Sequence, residues 1–339
     1  PIFINEVFLK FYSMSMLLLH LFDYLSFSNF LKIYLFGYVL KFAILYFIQW
    51  KNNRLELEMS LKDLKIKELL RFGIYVMAGG ASIMIVTRLD MMMIGYLLDL
   101  EQVAFYTVAF FIGNAIKVPA KAIGSIATPL VAKAWDKQDI KEIQILYLKS
   151  SINQLIVGGI FFICVWINID AIFSLLPAKF SHGKWVVFYI GLAQLFNITT
   201  GLNSVIIINS KFYRLDLVTN IILLLLTIAI NYILIPVYGI NGAAMATALS
   251  VFLFNLIRLI LIKVKMGIQP FSLKTIYTIL ILLVVYGISI YLPLTGNLYL
   301  DIVWKTFVVL AIFIPLLLTF ELSEDINKIA IDVRKRLEK

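Results

Sequence analysis

The chain has 339 residues, 62% of them hydrophobic and 15% charged, with a net charge of +10 and a mean hydropathy of +0.94. Soluble domains carry about 45–50% apolar and about 25% charged residues, so water is excluded as the main solvent. One cysteine, Cys164, and two histidines, His20 and His182, exclude an intrachain disulfide and a Cys- or His-rich metal site. The composition and the succession of apolar runs predict an all-α, polytopic membrane protein of about ten helices.

In chain order, Pro1 stands where a methionine would be expected, and no cleavable signal follows it. The start therefore reads as a cut through a longer protein. A bilayer core about 30 Å thick needs roughly 20 apolar residues in a helix. Runs of that kind lie at 30–50, 73–97, 103–130, 150–174, 185–208, 216–236, 240–262, 273–292 and 299–320. A weaker one, 7–25, is interrupted by Lys10, His20 and Asp23. Between the second and third runs, 51–71 reads as an amphipathic surface helix, capped by Ser60 with Asp63 and lined by Leu57, Leu61 and Leu64. It is either a linker between two helical bundles or a loop helix lying on anionic lipid.

Ionisable groups at bilayer depth cost at least ~2.5–3.5 kcal/mol on insertion scales, so they face a cavity or a partner. Span 73–97 carries Arg88 and Asp90, which diverge by about 200° on a helix. Arg88 can offer its planar fork to a phosphate or carboxylate, or join a buried network with Asp90 across helices. Met91–Met93 and the glycines 73, 79, 80, 95, 113 and 124 read as packing residues. Span 103–130 is the most informative. Asn114, Lys117, Lys121, Ser125 and Thr128 recur at helical spacing, and Pro119 predicts a kink between the two lysines. Such a stripe suits a hydrated, anion-attracting surface, the alternative being lysines paired with structural carboxylates. Cys164 reads as a small buried hydrophobe. Gln194, Asn197, Gly201 and Ser204 share a face of 185–208, and Asn220, Thr227 and Asn231 recur along 216–236. Both stripes can bind sugar hydroxyls or glue helices together.

The connections 51–71, 131–149, 209–215, 258–274 and 321–339 carry 6, 4, 2, 4 and 5 Lys/Arg, whereas the opposite ones carry only Lys179 and Lys184. The positive-inside rule makes the first set, and the C-terminus, cytoplasmic. The basic balance is thus topological and calls for no nucleic-acid partner. Short connections leave no room for a catalytic domain, and neither a phosphate-binding Gly-rich loop nor a nucleophile elbow is present. The sequence calls for a transporter, not an enzyme, and for no cofactor.

Three stretches are similar to a known family: Arg71-Phe-Gly-Ile-Tyr through Thr87-Arg-Leu-Asp-Met-Met-Met-Ile-Gly-Tyr-Leu-Leu, Val103-Ala-Phe-Tyr-Thr-Val-Ala-Phe with Ala127-Thr-Pro-Leu-Val-Ala-Lys, and Tyr238-Gly-Ile-Asn-Gly-Ala-Ala-Met-Ala-Thr-Ala-Leu-Ser. In order and spacing across 71–262 they resemble the polysaccharide (O-antigen type) flippases, of the superfamily that also holds multidrug extruders and lipid II flippases. One position departs from the family pattern: the basic residue that commonly follows the aspartate is Met91 here. The resemblance implies two six-helix lobes around a central cavity and two extra helices. It makes 1–50 the last two helices of a truncated first lobe, 51–71 the cytoplasmic linker, 72–263 the second lobe, and 264–339 two additional spans with a basic tail. Four helices, about 130–150 residues, would precede Pro1, and the single lobe alone is expected to be inactive.

The implied function is alternating-access export of a polyprenyl-diphosphate-linked oligosaccharide across the bacterial cytoplasmic (inner) membrane for O-antigen or other surface polysaccharide. Its partners would be lipid-linked oligosaccharide, membrane lipid, polysaccharide polymerase and glycosyltransferases. Arg88, Lys117 and Lys121 would attract the diphosphate, Asn114, Gln194 and Asn197 would contact sugar, and Asp90 would be the ion-coupling candidate. The alternative is a multidrug extruder of the same superfamily, followed by a membrane polymerase or glycosyltransferase.

Overall fold

A computed structural model describes residues 8–22, 24–51, 66–293 and 295–337. Its secondary structure is helical throughout. The expected surface helix of the 51–71 connection falls largely on 52–65, outside the described residues. The chain divides into two units, 1–66 and 67–339.

The first unit holds α1 (Leu9–Leu21) and α2 (Phe27–Lys51). The two helices form a hairpin in which the Tyr12 hydroxyl donates to the Ile33 carbonyl at 2.6 Å and its ring fills the space beside Gly37.

The second unit comprises α3 (Ile66–Leu97), α4 (Leu100–Asn114), α5 (Val118–Asp136), α6 (Ile140–Ile167), α7 (Ile169–Ser174), α8 (Lys184–Thr199), α9 (Asn203–Ile208), α10 (Arg214–Met266), α11 (Leu273–Ile290), α12 (Leu298–Thr319) and α13 (Glu324–Leu337). Local chemistry sets the ends. Asp99 caps α4 through the Gln102 N–H, Asp139 caps α6 through the Glu142 N–H, and Ser272 and Thr275 close a capping box at α11. Gly267, at φ 72°, ends α10 in the left-handed conformation.

Although continuous in hydrogen bonding, α10 is two spans. Gly239 has φ 57° and ψ −137°, which no helix contains. A straight helix rises about 1.5 Å per residue and would hold Asp216 and Arg258 about 63 Å apart. They form an ion pair instead, and Asn231 and Thr247 converge on one carboxylate. The arms 214–238 and 240–266 therefore run antiparallel.

Among the described residues, seven helices are long and apolar enough to cross a membrane by length and composition. They contain eight of the ten expected spans, because both 216–236 and 240–262 lie in α10. Of the other two, 7–25 is represented by the 13-residue α1, and 185–208 is broken into α8 and α9, so a count of ten is not established. The expected span 150–174 also divides, at Asn168 between α6 and α7. The chain is a multi-pass membrane protein.

Three large apolar clusters organise the second unit, and a small fourth one, Ile116, Ala120 and Ile198, joins α5 to α8. One gathers Ile94, Tyr106, Ile190, Ile235 and Ala243 near the Gly239 turn, with Met91 and Met93 packed on it. A second joins Val131, Tyr147, Ile206 and Ile262. The third seats α11 and α12 on α6 through Leu155, Ile163, Leu282, Val309 and Phe313, with Cys164 at its edge. Along α4–α5, α6, α8–α9 and the second arm of α10, polar residues lie between those of the first two clusters.

Candidate functional site

Two helix interruptions bring those polar residues together. At Pro119 the helix tightens: α4 stops at Asn114, a 3₁₀ turn covers Ala115–Lys117, and α5 restarts at Val118 with proline in its first turn. The expected kink between the lysines thus sits at the first of them. Opposite, α8 ends at Thr199 and α9 begins at Asn203, with Gly201 at φ 63° between them. Only glycine adopts that conformation without strain, and an added Cβ would lie 3.0 Å from Ser150 Oγ and 3.3 Å from the Ser151 nitrogen. Polar neighbours satisfy this irregular backbone. Ser151 donates to the Thr199 carbonyl at 2.5 Å, and Thr200 donates to Asn255 Oδ1 at 2.8 Å. Non-helical backbone at membrane depth is tolerated where it is buried in protein or lines a hydrated space.

A cavity of about 600 Å³ lies between these breaks, lined by Lys117, Lys121, Thr128, Gln154, Asn197, Asn203, Ser204, Asn255 and Arg258 among others. Both lysines are exposed, and no Asp or Glu is among the lining residues. Lys117, Lys121 and Arg258 give the lining its positive charge, the last of them paired with Asp216 behind the wall.

Of the residues predicted from sequence, the cavity unites Lys117, Lys121 and Asn197. It does not include Asn114, Arg88 or Gln194. Asn114 is 8% exposed, packed inside the bundle and not at the cavity wall. Its amide donates to the Phe110 carbonyl at 2.9 Å. Arg88 is exposed on α3, and Gln194 is half-buried on α8. Ser125 turns its hydroxyl to the Ala122 carbonyl.

Arg258 is the cation that sequence reasoning misplaced. Counted among the cytoplasmic charges of 258–274, it is 3% exposed within the bundle, so that connection carries three basic residues and not four. Nη2 donates to Asp216 Oδ1 and, at 3.0 Å, to Asn220 Oδ1; Nε donates to Thr219 Oγ1 at 3.1 Å; the guanidinium lies 4.2 Å from the Phe254 ring centroid. Ser204 and Asn220 donate to the same carboxylate, both at 3.1 Å. One ion pair thereby ties both arms of α10 to α9. Asn220 extends the network to the Gly79 carbonyl of α3. Thr247, Asn255 and Arg258 stand eight and three apart, a polar stripe that could have revealed this face.

Asp90 lies elsewhere, 2% exposed. Tyr106, Asn231 and Thr247 donate to it at 2.7, 2.8 and 2.5 Å. These partners are all neutral; Arg88 is not among them. Asn231 Oδ1 is buried with no partner among the described residues.

Beside the polar cavity runs an apolar groove. A volume of about 660 Å³ between α8, the second arm of α10 and α11 shares Thr200 and Asn255 with the cavity. It continues through Phe196, Thr199 and Ile279 into one of about 380 Å³ walled by Phe162, Trp166, Leu282 and Tyr286.

The described residues thus form a bundle of broken helices around a cavity lined by cations, and comparison with known proteins shows what it is similar to. Residues 2–135 match the family described as polysaccharide biosynthesis protein. An uncharacterized membrane protein of Methanocaldococcus jannaschii is 27% identical over 228 residues, covering 64% of this chain and 43% of its own length. The chain shares its fold with the lipid II flippase MurJ in an inward closed conformation, at TM-score 0.63 and 14% identity, over 92% of this chain and 66% of that one. The resemblance to the polysaccharide family read from the sequence agrees with the family match over residues 2–135, and the fold it implied agrees with the structural match. The chain spans less than half of the archaeal relative and about two thirds of MurJ.

Proposed function

We propose that this chain forms the substrate-binding lobe of a flippase for polyprenyl-diphosphate-linked oligosaccharide. It would act in surface polysaccharide synthesis at the cytoplasmic membrane, with its C-terminus on the cytoplasmic side. The cavity carries the reading: Lys117 and Lys121 stand at a helix break in an apolar bundle, with no lining carboxylate. A diphosphate is rejected by hydrocarbon, and fixed cations in a hydrated space lower that barrier. Asn197 and Gln154 are placed for sugar hydroxyls, and the apolar groove beside them suits an isoprenoid chain. Lobes rocking about the site would expose it to each face in turn. Glycosyltransferases would supply the substrate and a polymerase would consume it.

Asp90 remains the coupling candidate. Its carboxylate and the open Asn231 Oδ1 offer oxygens that suit a proton or a hard cation. A multidrug extruder, the second reading, would favour acidic lining groups, and this cavity has basic ones. The test is Lys117→Ala with Lys121→Ala in the intact protein, reading lipid-linked sugar on the outer face against membrane abundance. Export should fall at least about tenfold at unchanged abundance. Undiminished export sinks the assignment.

A further inference from the structure

One buried donor in the wall of the polar cavity has no acceptor among the described residues, and a guanidinium lines the same wall. The Tyr147 hydroxyl donates to Asn203 Oδ1, which leaves Asn203 Nδ2 buried without a partner among the described residues. Arg258 commits Nε and Nη2 to Thr219, Asp216 and Asn220. Both side chains are about 3% exposed and both line the cavity. A buried donor left open is costly unless something fills it, and one such donor in the same wall as a fixed guanidinium suits an anionic oxygen.

We infer that Asn203 and Arg258 form a phosphate subsite, separate from the lysines, that grips one phosphate group of an amphiphile entering the cavity. This deepens the reading of the cavity as an anion site and rests on it. Asp216 is a positioning residue: it and Asn220 hold Nη2, so the remaining edge of the guanidinium is presented in one orientation. Lys117 and Lys121, on flexible stems, attract; Arg258, fixed by three partners, selects geometry. The bound phosphate belongs either to a lipid-linked diphosphate or to a phospholipid headgroup.

The full chain in maltoside micelles is titrated with inorganic pyrophosphate and with farnesyl diphosphate, with and without added phosphatidylglycerol. Asn203→Asp keeps an acceptor for Tyr147 and turns the open donor into an acceptor. It should weaken both probes at least about tenfold while the melting midpoint holds, a separation that a structural role would not produce. The paired variant Asp216→Asn/Arg258→Gln removes the cation without stranding a buried carboxylate and should weaken them likewise. Competition by phosphatidylglycerol that vanishes in Asn203→Asp identifies a headgroup as the source. Tighter binding of farnesyl diphosphate than of the phospholipid identifies an isoprenoid diphosphate. Unchanged affinity in both Asn203→Asp and the paired variant, with loss in Lys117→Ala/Lys121→Ala, overturns the subsite and leaves the cavity reading intact. No binding of either probe by the unaltered chain overturns both.

Discussion

Arg258→Met separates an ion pair that holds the bundle from one that merely decorates it. Methionine keeps an unbranched stem against Phe254 and removes the donors to Asp216, Asn220 and Thr219. Stranding one partner of a buried pair costs roughly 3–5 kcal/mol. Asp216 would keep Ser204 and Asn220 as neutral donors, which places the expectation at the lower end, about 3 kcal/mol. At about 2–4 °C per kcal/mol for a chain of this order of size, the midpoint should fall by about 6–12 °C. Replacing the pair together, as Asp216→Leu/Arg258→Met, should recover most of the loss, because two well-packed apolar groups replace a desolvated pair at little cost. The lone, half-buried Cys164 supplies the assay, since a thiol-reactive fluorogenic dye reports its exposure on heating. An Arg258→Met midpoint within a degree of the parent, or a double variant that falls by the sum of the singles, refutes the coupling.

Gly201→Ala forces a left-handed residue that costs about 1–2 kcal/mol and pushes on Ser150 Oγ, so both the midpoint and pyrophosphate affinity should drop. Restored affinity in Gly201→Ala/Ser150→Ala would assign the effect to that contact. Asp90→Asn preserves size and removes the charge; transport in proteoliposomes of the intact protein should lose its dependence on the imposed ion gradient, whereas gradient dependence equal to the parent excludes Asp90 from coupling. Ile279→Trp fills the apolar groove at the residue shared by its two volumes. It should weaken farnesyl diphosphate and leave inorganic pyrophosphate unchanged, and equal weakening of both would place the isoprenoid elsewhere.

Most of the fold was legible because a bilayer demands long apolar runs, and apolar runs are local. The break at Lys117 was legible for the same reason: proline carries its effect on the backbone with it. The break at Gly201 was not, since a glycine in an apolar helix reads equally well as close packing, and only Ser150 and Ser151 of α6 show that the chain turns there. Arg258 was misread because it closes an apolar run that continues into Lys263 and Lys265, so its neighbours in sequence are cytoplasmic while its counter-charge lies 42 residues away. Asn114 shows the converse: its spacing matched the lysines, yet it is buried and turns its amide back to the Phe110 carbonyl.

The position of the cavity follows from these defects. A straight helix satisfies its own backbone and presents side chains alone, so straight helices in lipid need no water between them. Here the 3₁₀ turn at 115–117 and the gap at 200–202 both border the same space, and at the gap Ser151 stands in for the regular hydrogen-bond ladder. Polar groups lie between two large apolar clusters, and a small one of Ile116, Ala120 and Ile198 packs the breaks against each other. Lys117 and Lys121 line the cavity beside the first break, and the Asp216–Arg258 pair supports the opposite wall by tying α9, a helix of only six residues, to both arms of α10. The irregular backbone at 200–202 is thus anchored by side chains within the bundle, Ser151 on the Thr199 carbonyl and Thr200 on Asn255, and not by the lipid around it.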